Sequence, residues 1–185
     1  MPEFRGFISI DIDIPSKIIE IEKEIEKTGG NVKLVEPKNM HLTLKFLGNT
    51  NEEMINEIEN MIKESIKDVK PFKIQIKGTG VFPNEKYIKI IWLGIKNGEQ
   101  ITQIAEKIDE QVSKLGFKKE KRSFSPHLTI GRVRNAKNKD KILRIIEKYK
   151  DLLFAEKIVD TIKLKKSELT PKGSIYTTIK EIKMK

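Results

Sequence analysis

Two tetrapeptides hold all the imidazole chemistry of this chain. His41-Leu42-Thr43-Leu44 lies within "NMHLTLKFLG" (39–48), and His127-Leu128-Thr129-Ile130 lies within "SPHLTIGRVR" (125–134). The sequence contains 2 histidines, one in each stretch. Both stretches alternate polar and aliphatic residues and read as strands, whose successive side chains point to opposite faces. His41 and Thr43 therefore share one face, as do His127 and Thr129, while Leu42, Leu44, Leu128 and Ile130 point to a core. Each strand offers an imidazole and a hydroxyl roughly 6–7 Å apart along the chain. Two such strands facing each other supply two imidazoles and two hydroxyls, a set suited to a phosphate. The hydroxyls hold non-bridging oxygens, while a neutral ring accepts a proton and a charged one gives a proton. An ordinary imidazole pKa of about 6.5 lets histidine do either near neutral pH.

Other chemistries fit less well. A lone strand histidine is usually structural, but the same tetrapeptide twice, with no histidine elsewhere, argues for function. Zinc normally takes three or four ligands, and two histidines fall short unless carboxylates complete the set. No H-E-x-x-H helix, phosphate-binding G-x-x-x-x-G-K-[ST] loop, G-x-G-x-x-G turn or G-x-S-x-G elbow occurs. The sequence has 0 cysteines, which removes disulfides and thiolate nucleophiles. No metal and no cofactor are expected. "GTG" at 78–80 reads as a bulge or turn.

Composition suggests a partner. The 185 residues suffice for one well-filled core or two small lobes that share one. Lys and Arg number 37 against 27 Asp and Glu, a formal charge of +10. Such an excess favours polyanions, nucleic acid first and anionic membrane second, with a salt-bridged solvated surface as the plainer alternative. The acids within "MPEFRGFISIDIDIP" argue against a secretory signal, and no apolar run approaches the ~20 residues of a bilayer span. A cytoplasmic protein is the expectation.

The elements that must position the motifs follow from periodicity. "FRGFISIDI" reads as a strand with Ile8, Ile10 and Ile12 on one face and Phe7 and Ser9 on the other. "PSKIIEIEKEIEKTGG" is a helix with a stripe of Ile18, Ile21 and Ile25, ended by Gly29-Gly30. "VKLVEP" and "HLTLKFLG" are strands. Thr50 and Glu53 form a capping-box pattern opening a helix to about Val69, with Met54, Ile58, Met61, Ile62 and Ile66 inward. "FKIQIKGTGVF" and "YIKIIWLGI" form a strand pair joined by "PNEK". Residues 99–115 are a helix, "SFSPHLTIGRV" a strand entered through Pro126, and "NKDKILRIIEKY" a helix. "EKIVDTIKLKKSEL" and "SIYTTIKEIKM" close the chain around a turn at 171–173. Strict βαβ alternation is absent, so the fold class is α+β with antiparallel sheets flanked by helices. One motif in each half hints at a duplicated half.

The motifs and their surroundings resemble the 2H phosphoesterase superfamily, and within it the RNA 2′,3′-cyclic phosphodiesterases also called 2′-5′ RNA ligases. "RGFISIDI", "EPKNMHLTLKFLG", "GTGVFPN" with "IIWLGI", "FSPHLTIGRV" and "LKKSELTPKGSIYTTI" all carry the likeness, which runs along nearly the whole chain. It implies a single bilobal domain over residues 1–185, with two intertwined, pseudo-symmetric lobes around a central cleft and one H-x-T-x motif in each. It implies hydrolysis of 2′,3′-cyclic phosphate RNA ends to 2′-phosphates, with reverse 2′-5′ ligation, and neither metal nor nucleoside triphosphate. His41 would give the proton and His127 accept it, with Thr43 and Thr129 holding phosphoryl oxygens. The implied partner is RNA with a cyclic phosphate end, tRNA-derived ends among the candidates, bound by a monomer away from any membrane.

Three more residues are candidates for substrate binding. Arg132 matches phosphate oxygens as a guanidinium clamp. Strict alternation puts it opposite His127, so a bulge at Gly131 or action from the strand end is required. Phe7 is a candidate for stacking on a base, or a core residue. Lys45 falls on the His41/Thr43 face and is a candidate phosphate contact. A basic RNA-binding module without turnover, and a relative acting on another cyclic phosphate or a 2′-5′ oligonucleotide, are the alternative functions.

Overall fold

The computed structural model describes residues 2–185. β1 (Glu3–Asp11) is followed by α1 (Ser16–Lys27), β2 (Val32–Leu34), β3 (His41–Asn51) and α2 (Ile55–Ile66). Then come β4 (Phe72–Pro83), β5 (Ile88–Lys96), α3 (Glu99–Ser113) and β6 (His127–Val133). α4 (Lys139–Lys148), β7 (Leu153–Val159), β8 (Thr161–Thr170) and β9 (Gly173–Lys183) complete the order. The strands form two antiparallel sheets, in the orders β3-β1-β8-β9 and β2-β6-β5-β4-β7. The α+β class with helix-flanked antiparallel sheets is what the sequence pattern predicts.

The helices bury the stripes that their 3.6-residue periodicity sets up. α2 and α3 pack on each other, α3 lies against β3, and α2 lies against β9. α1 packs with α4 and β2, and α4 lies on β4. Each sheet thus carries two helices on one face. Buried residues of both sheets, from Ile8 and Leu42 to Leu93 and Leu128, belong to one continuous apolar cluster.

Local details depart from the sequence reading in three places. "EKIVDTIKLKKSEL" is two strands, because the buried positions change phase at Asp160. Val159 is buried while Ile158 is 50% exposed, and Ile162 and Leu164 are buried beyond the break. β7 therefore ends in the second sheet and β8 begins in the first. The entry to α2 is capped by Asn51 rather than Thr50. Asn51 Oδ1 accepts from the Glu53 amide at 2.9 Å, whereas the buried Thr50 hydroxyl donates to Gly48 O. β1 runs between β3 and β8, and Gly6 to Ile10 are all buried, so side chains on both of its faces are covered. "GTG" lies within β4, where the pairing with β5 shifts register between Ile76 and Thr79.

Candidate active site

The two motifs fold in the same way, down to their irregularities. In β3, His41 pairs with Asp11, Thr43 with Ser9 and Phe46 with Phe7 of β1, and the register slips between Thr43 and Lys45. In β6, His127 pairs with Gly94, Thr129 with Trp92 and Arg132 with Ile90 of β5, and the register slips between Thr129 and Gly131. Directly paired residues share a face. The extra residue, Leu44 in one strand and Ile130 in the other, therefore turns the chain over after each threonine. His41, Thr43 and Phe46 end on one face, and His127, Thr129 and Arg132 on its counterpart. Leu42, Leu44, Leu128 and Ile130 are buried in the core, as alternation predicts.

The strands that carry these faces are neighbours. β3 is the edge of the first sheet, and β6 is covered in the second only by the short β2. β2 pairs with Gly131 to Val133, so residues 127–129 extend beyond it. β3 and β6 come into contact across the seam between the sheets.

Each imidazole is held by the carbonyl two residues before it. His41 Nδ1 lies 2.7 Å from Asn39 O, and His127 Nδ1 lies 2.8 Å from Ser125 O. A carbonyl only accepts, so Nδ1 carries the proton that it donates. The nitrogen left open is then Nε2 in both rings: an acceptor when the ring is neutral, a donor when it is charged. Asn39 closes a 3-10 turn over Pro37–Asn39, and its side-chain amide donates to Ser174 O at 3.2 Å. Neither Thr43 nor Thr129 spends its hydroxyl on a hydrogen bond among the described residues.

Both rings are framed by aromatics. His41 sits 5.0 Å from the Phe7 ring and edge-on to Tyr176 at 5.2 Å, and Phe82 meets His127 edge-on at 5.0 Å. Burial pushes the His41 imidazole below its ordinary 6.5. The hydrogen bond to Asn39 opposes this, the Lys165 charge adds to it, and the Asp11 charge again opposes it. Asp11 is itself ion-paired to Lys163 at 2.8 Å and to Lys165. Burial alone raises the Asp11 carboxyl, but the two lysines outweigh it and hold it below its ordinary 3.8.

Two of the binding candidates need correcting. Lys45 does not reach a phosphate. The bulge at Leu44 turns it to the core side, where its side chain is 1% exposed against Asp109 at 2.6 Å and Glu120 at 3.1 Å. It also donates to Lys118 O at 2.6 Å. Phe7 is 3% exposed and supports His41 from beneath, which leaves it no open face for a base. Arg132 reaches the His127 face through a bulge one residue earlier than Gly131. It is exposed and forms no ion pair among the described residues.

Phe46 occupies the place in the first motif that Arg132 holds in the second, and it is 66% exposed. Sequence reading missed it because simple alternation assigns it to the core. Asp11 and Lys165 were also missed. The signal for both was a charge inside an otherwise apolar strand, in "IDID" and "KLKK". Among the described residues, no group of three or more His, Asp or Glu is gathered in a metal-ligating arrangement. No helix among them is long and apolar enough to cross a membrane.

Comparison with known proteins agrees with this architecture. A protein of Methanocaldococcus jannaschii called RNA 2′,3′-cyclic phosphodiesterase is 46% identical over 179 residues, covering 96% of this chain and 99% of its own. One of the same name from Methanothermobacter thermautotrophicus is 37% identical over 182 residues, with 97% and 98% covered. Among solved structures, the protein TT0787 of Thermus thermophilus matches with a TM-score of 0.74 at 25% identity, over 97% of both chains. E. coli LigT complexed with 3′-AMP matches in fold, with a TM-score of 0.72 at 21% identity over 99% of both chains. The family model of the 2′-5′ RNA ligase superfamily matches residues 19–168, and the chain belongs to that superfamily.

Proposed function

We infer that this chain is an RNA 2′,3′-cyclic phosphodiesterase. The observation that carries the reading is the duplicated device of an imidazole locked through Nδ1, with Nε2 free, two residues before an uncommitted threonine hydroxyl. The name shared by its relatives supports the same reaction. In the forward direction His127 Nε2 takes a proton from water, whose oxygen attacks phosphorus. The P–O3′ bond breaks, and protonated His41 Nε2 gives its proton to the departing 3′ oxygen. The products are a 2′-phosphate and a 3′-hydroxyl, and the two rings have exchanged a proton. Thr43 and Thr129 hold non-bridging oxygens as charge builds on them. Arg132 clamps the phosphate, and the exposed Phe46 ring stacks on the terminal base. The same steps with a 5′-hydroxyl in place of water join it to the cyclic phosphate as a 2′-5′ linkage, with the rings in the same roles. The strained ring drives the reaction, so no cofactor enters it. A cytoplasmic monomer acting on single RNA ends, tRNA fragments among them, fits this reading.

Product analysis tests it. An oligonucleotide ending in 2′,3′-cyclic phosphate is expected to yield a 2′-phosphate alone, and a 3′-phosphate would reverse the geometry. His41→Ala and His127→Ala should each lower the rate by at least ~10²-fold, the lower range of general acid or base catalysis. Affinity for an uncleavable phosphate end should fall far less. A leaving group of low pKa needs no proton, so it should partly rescue His41→Ala and not His127→Ala. Equal rescue of both variants would refute the assignment of roles.

A further inference from the structure

A second feature lies on the His127 side of the molecule, one and two strands away. Gly94, the residue paired directly with His127, borders an open cavity of about 360 Å³. The cavity is also lined by Lys77, Gly78, Thr79, Trp92, Lys96, Lys150 and Asp151. Trp92 and Gly94 share the face of Thr129 and His127 by direct pairing, and Lys96 follows two residues later on the same strand. A chain of rings links the cavity to the catalytic imidazole. His127 meets Phe82 at 5.0 Å, and Phe82 meets Trp92 at 5.3 Å.

Small residues let the wall of this cavity pack closely. A side chain at Gly80 would put a Cβ 2.1 Å from the Trp92 ring, so only glycine lets the indole lie across β4. At Gly94 a Cβ would meet Lys77 O at 2.6 Å, so the two strands close tightly beside His127. The charge around the opening is positive, three lysines against one aspartate. Lys150 is paired with Glu147 at 2.5 Å, but Lys77 and Lys96 form no ion pair among the described residues. Unpaired ammonium groups beside an indole face suit a phosphodiester with its base, the combination that single-stranded nucleic acid presents. Adjacent strands lie about 4.8 Å apart, so a cavity one to two strands from His127 is within one nucleotide's reach of a phosphate held there.

We propose that this cavity is a second subsite, which binds the phosphodiester preceding the reacting end of a single-stranded RNA. It rests on the activity inferred above and adds a length preference to it. The enzyme then discriminates a polynucleotide end from a free nucleotide through Lys77 and Lys96, without help from the catalytic residues.

The test compares a nucleoside 2′,3′-cyclic phosphate with a trinucleotide bearing the same end. Wild type should show the lower KM for the trinucleotide. Lys77→Glu combined with Lys96→Glu should raise that KM at least ~10-fold and flatten its salt dependence by about one phosphate contact, while shifting the mononucleotide KM less than ~3-fold. Equal shifts for both substrates, or none, would overturn the proposal. If charge reversal impairs folding, judged by circular dichroism, the neutral pair Lys77→Gln and Lys96→Gln carries the same comparison. A direct readout does not depend on turnover. Trp92 is the sole tryptophan in the sequence, so its emission reports on the cavity. An uncleavable trinucleotide 3′-phosphate should quench it, and the lysine variants should weaken that titration by the same factor. Absence of turnover on either substrate would end the activity reading, and the Trp92 titration would still decide the subsite. Quenching by the mononucleotide alone would make the cavity the terminal-base pocket and end this proposal.

Discussion

His41 stands in a drier setting than a free imidazole, pressed between Phe7 and Tyr176. Burial favours its neutral form, and the Lys165 charge works in the same direction. The proton donor proposed here must begin charged, so this setting carries a kinetic signature. The fraction of imidazolium falls as pH rises through the His41 pKa, which lies below 6.5 in the free protein. The alkaline limb of kcat/KM, which reports the free enzyme, should therefore fall below pH 6.5. A bound phosphate anion favours the imidazolium, so the same limb in kcat should lie higher. Asp11→Asn removes a charge that raises the His41 pKa and leaves Lys165 uncompensated. The alkaline limb of kcat/KM should then move further down. Parallel pH profiles of kcat and kcat/KM for wild type and Asp11→Asn check this. An unmoved limb would mean that His41 is not the donor.

Among the elements, α1 shows how a helix can carry a titratable group into its core. Ile18, Ile21 and Ile25 form the buried stripe, and Glu22 lies within the same arc at helical spacing. Its side chain is 8% exposed, and Oε1 has no hydrogen-bond partner. Burial, aided by the neighbouring Glu26 charge, pushes its carboxyl up from 4.5 to about 7. The folded form thus holds a proton that the unfolded chain releases near 4.5. The stability contributed is full below that value and is lost as pH rises to about 7. Glu22→Gln keeps the shape and removes the ionisation. It should stabilise the protein at pH 8 by up to about 3 kcal/mol, with no difference below pH 4.5. Urea titrations of both proteins across this range measure it, and a difference that is flat with pH would show that Glu22 is solvated. The helices, their stripes and the HLT faces were legible in the sequence because they depend on local period alone. The bulges at Leu44 and Ile130 were not. They arise from how β3 fits β1 and how β6 fits β5, and they decide that Phe46 and Arg132 share the His/Thr faces while Lys45 does not. The break at Asp160 escaped for a similar reason, since residues 156–169 alternate plausibly as one strand until two different sheets claim them.

At the scale of the whole molecule, the chain does not divide into consecutive halves. β1 lies inside the first sheet, yet α1, which follows it, packs with α4 and β2 of the second. β5 lies inside the second sheet, yet α3, which follows it, packs against β3 and α2 of the first. β7 and β8 are separated by Asp160 and belong to different sheets. Any cut in the chain leaves one sheet without a helix that covers it or a strand that completes it, and the buried side chains of both form one cluster. The proposed active site is subject to the same constraint, because His41 belongs to the first sheet and His127 to the second. Unfolding should then be a single all-or-none transition, as is usual for small domains with one core. Trp92 emission reports on the second sheet, far-UV circular dichroism on the whole chain, and turnover on both sheets together. In urea the three should share one midpoint. An activity midpoint well below that of Trp92 emission would mean that the first sheet, with His41, comes apart while the second stands, and the interlocking of α1 and α3 would then carry little of the stability.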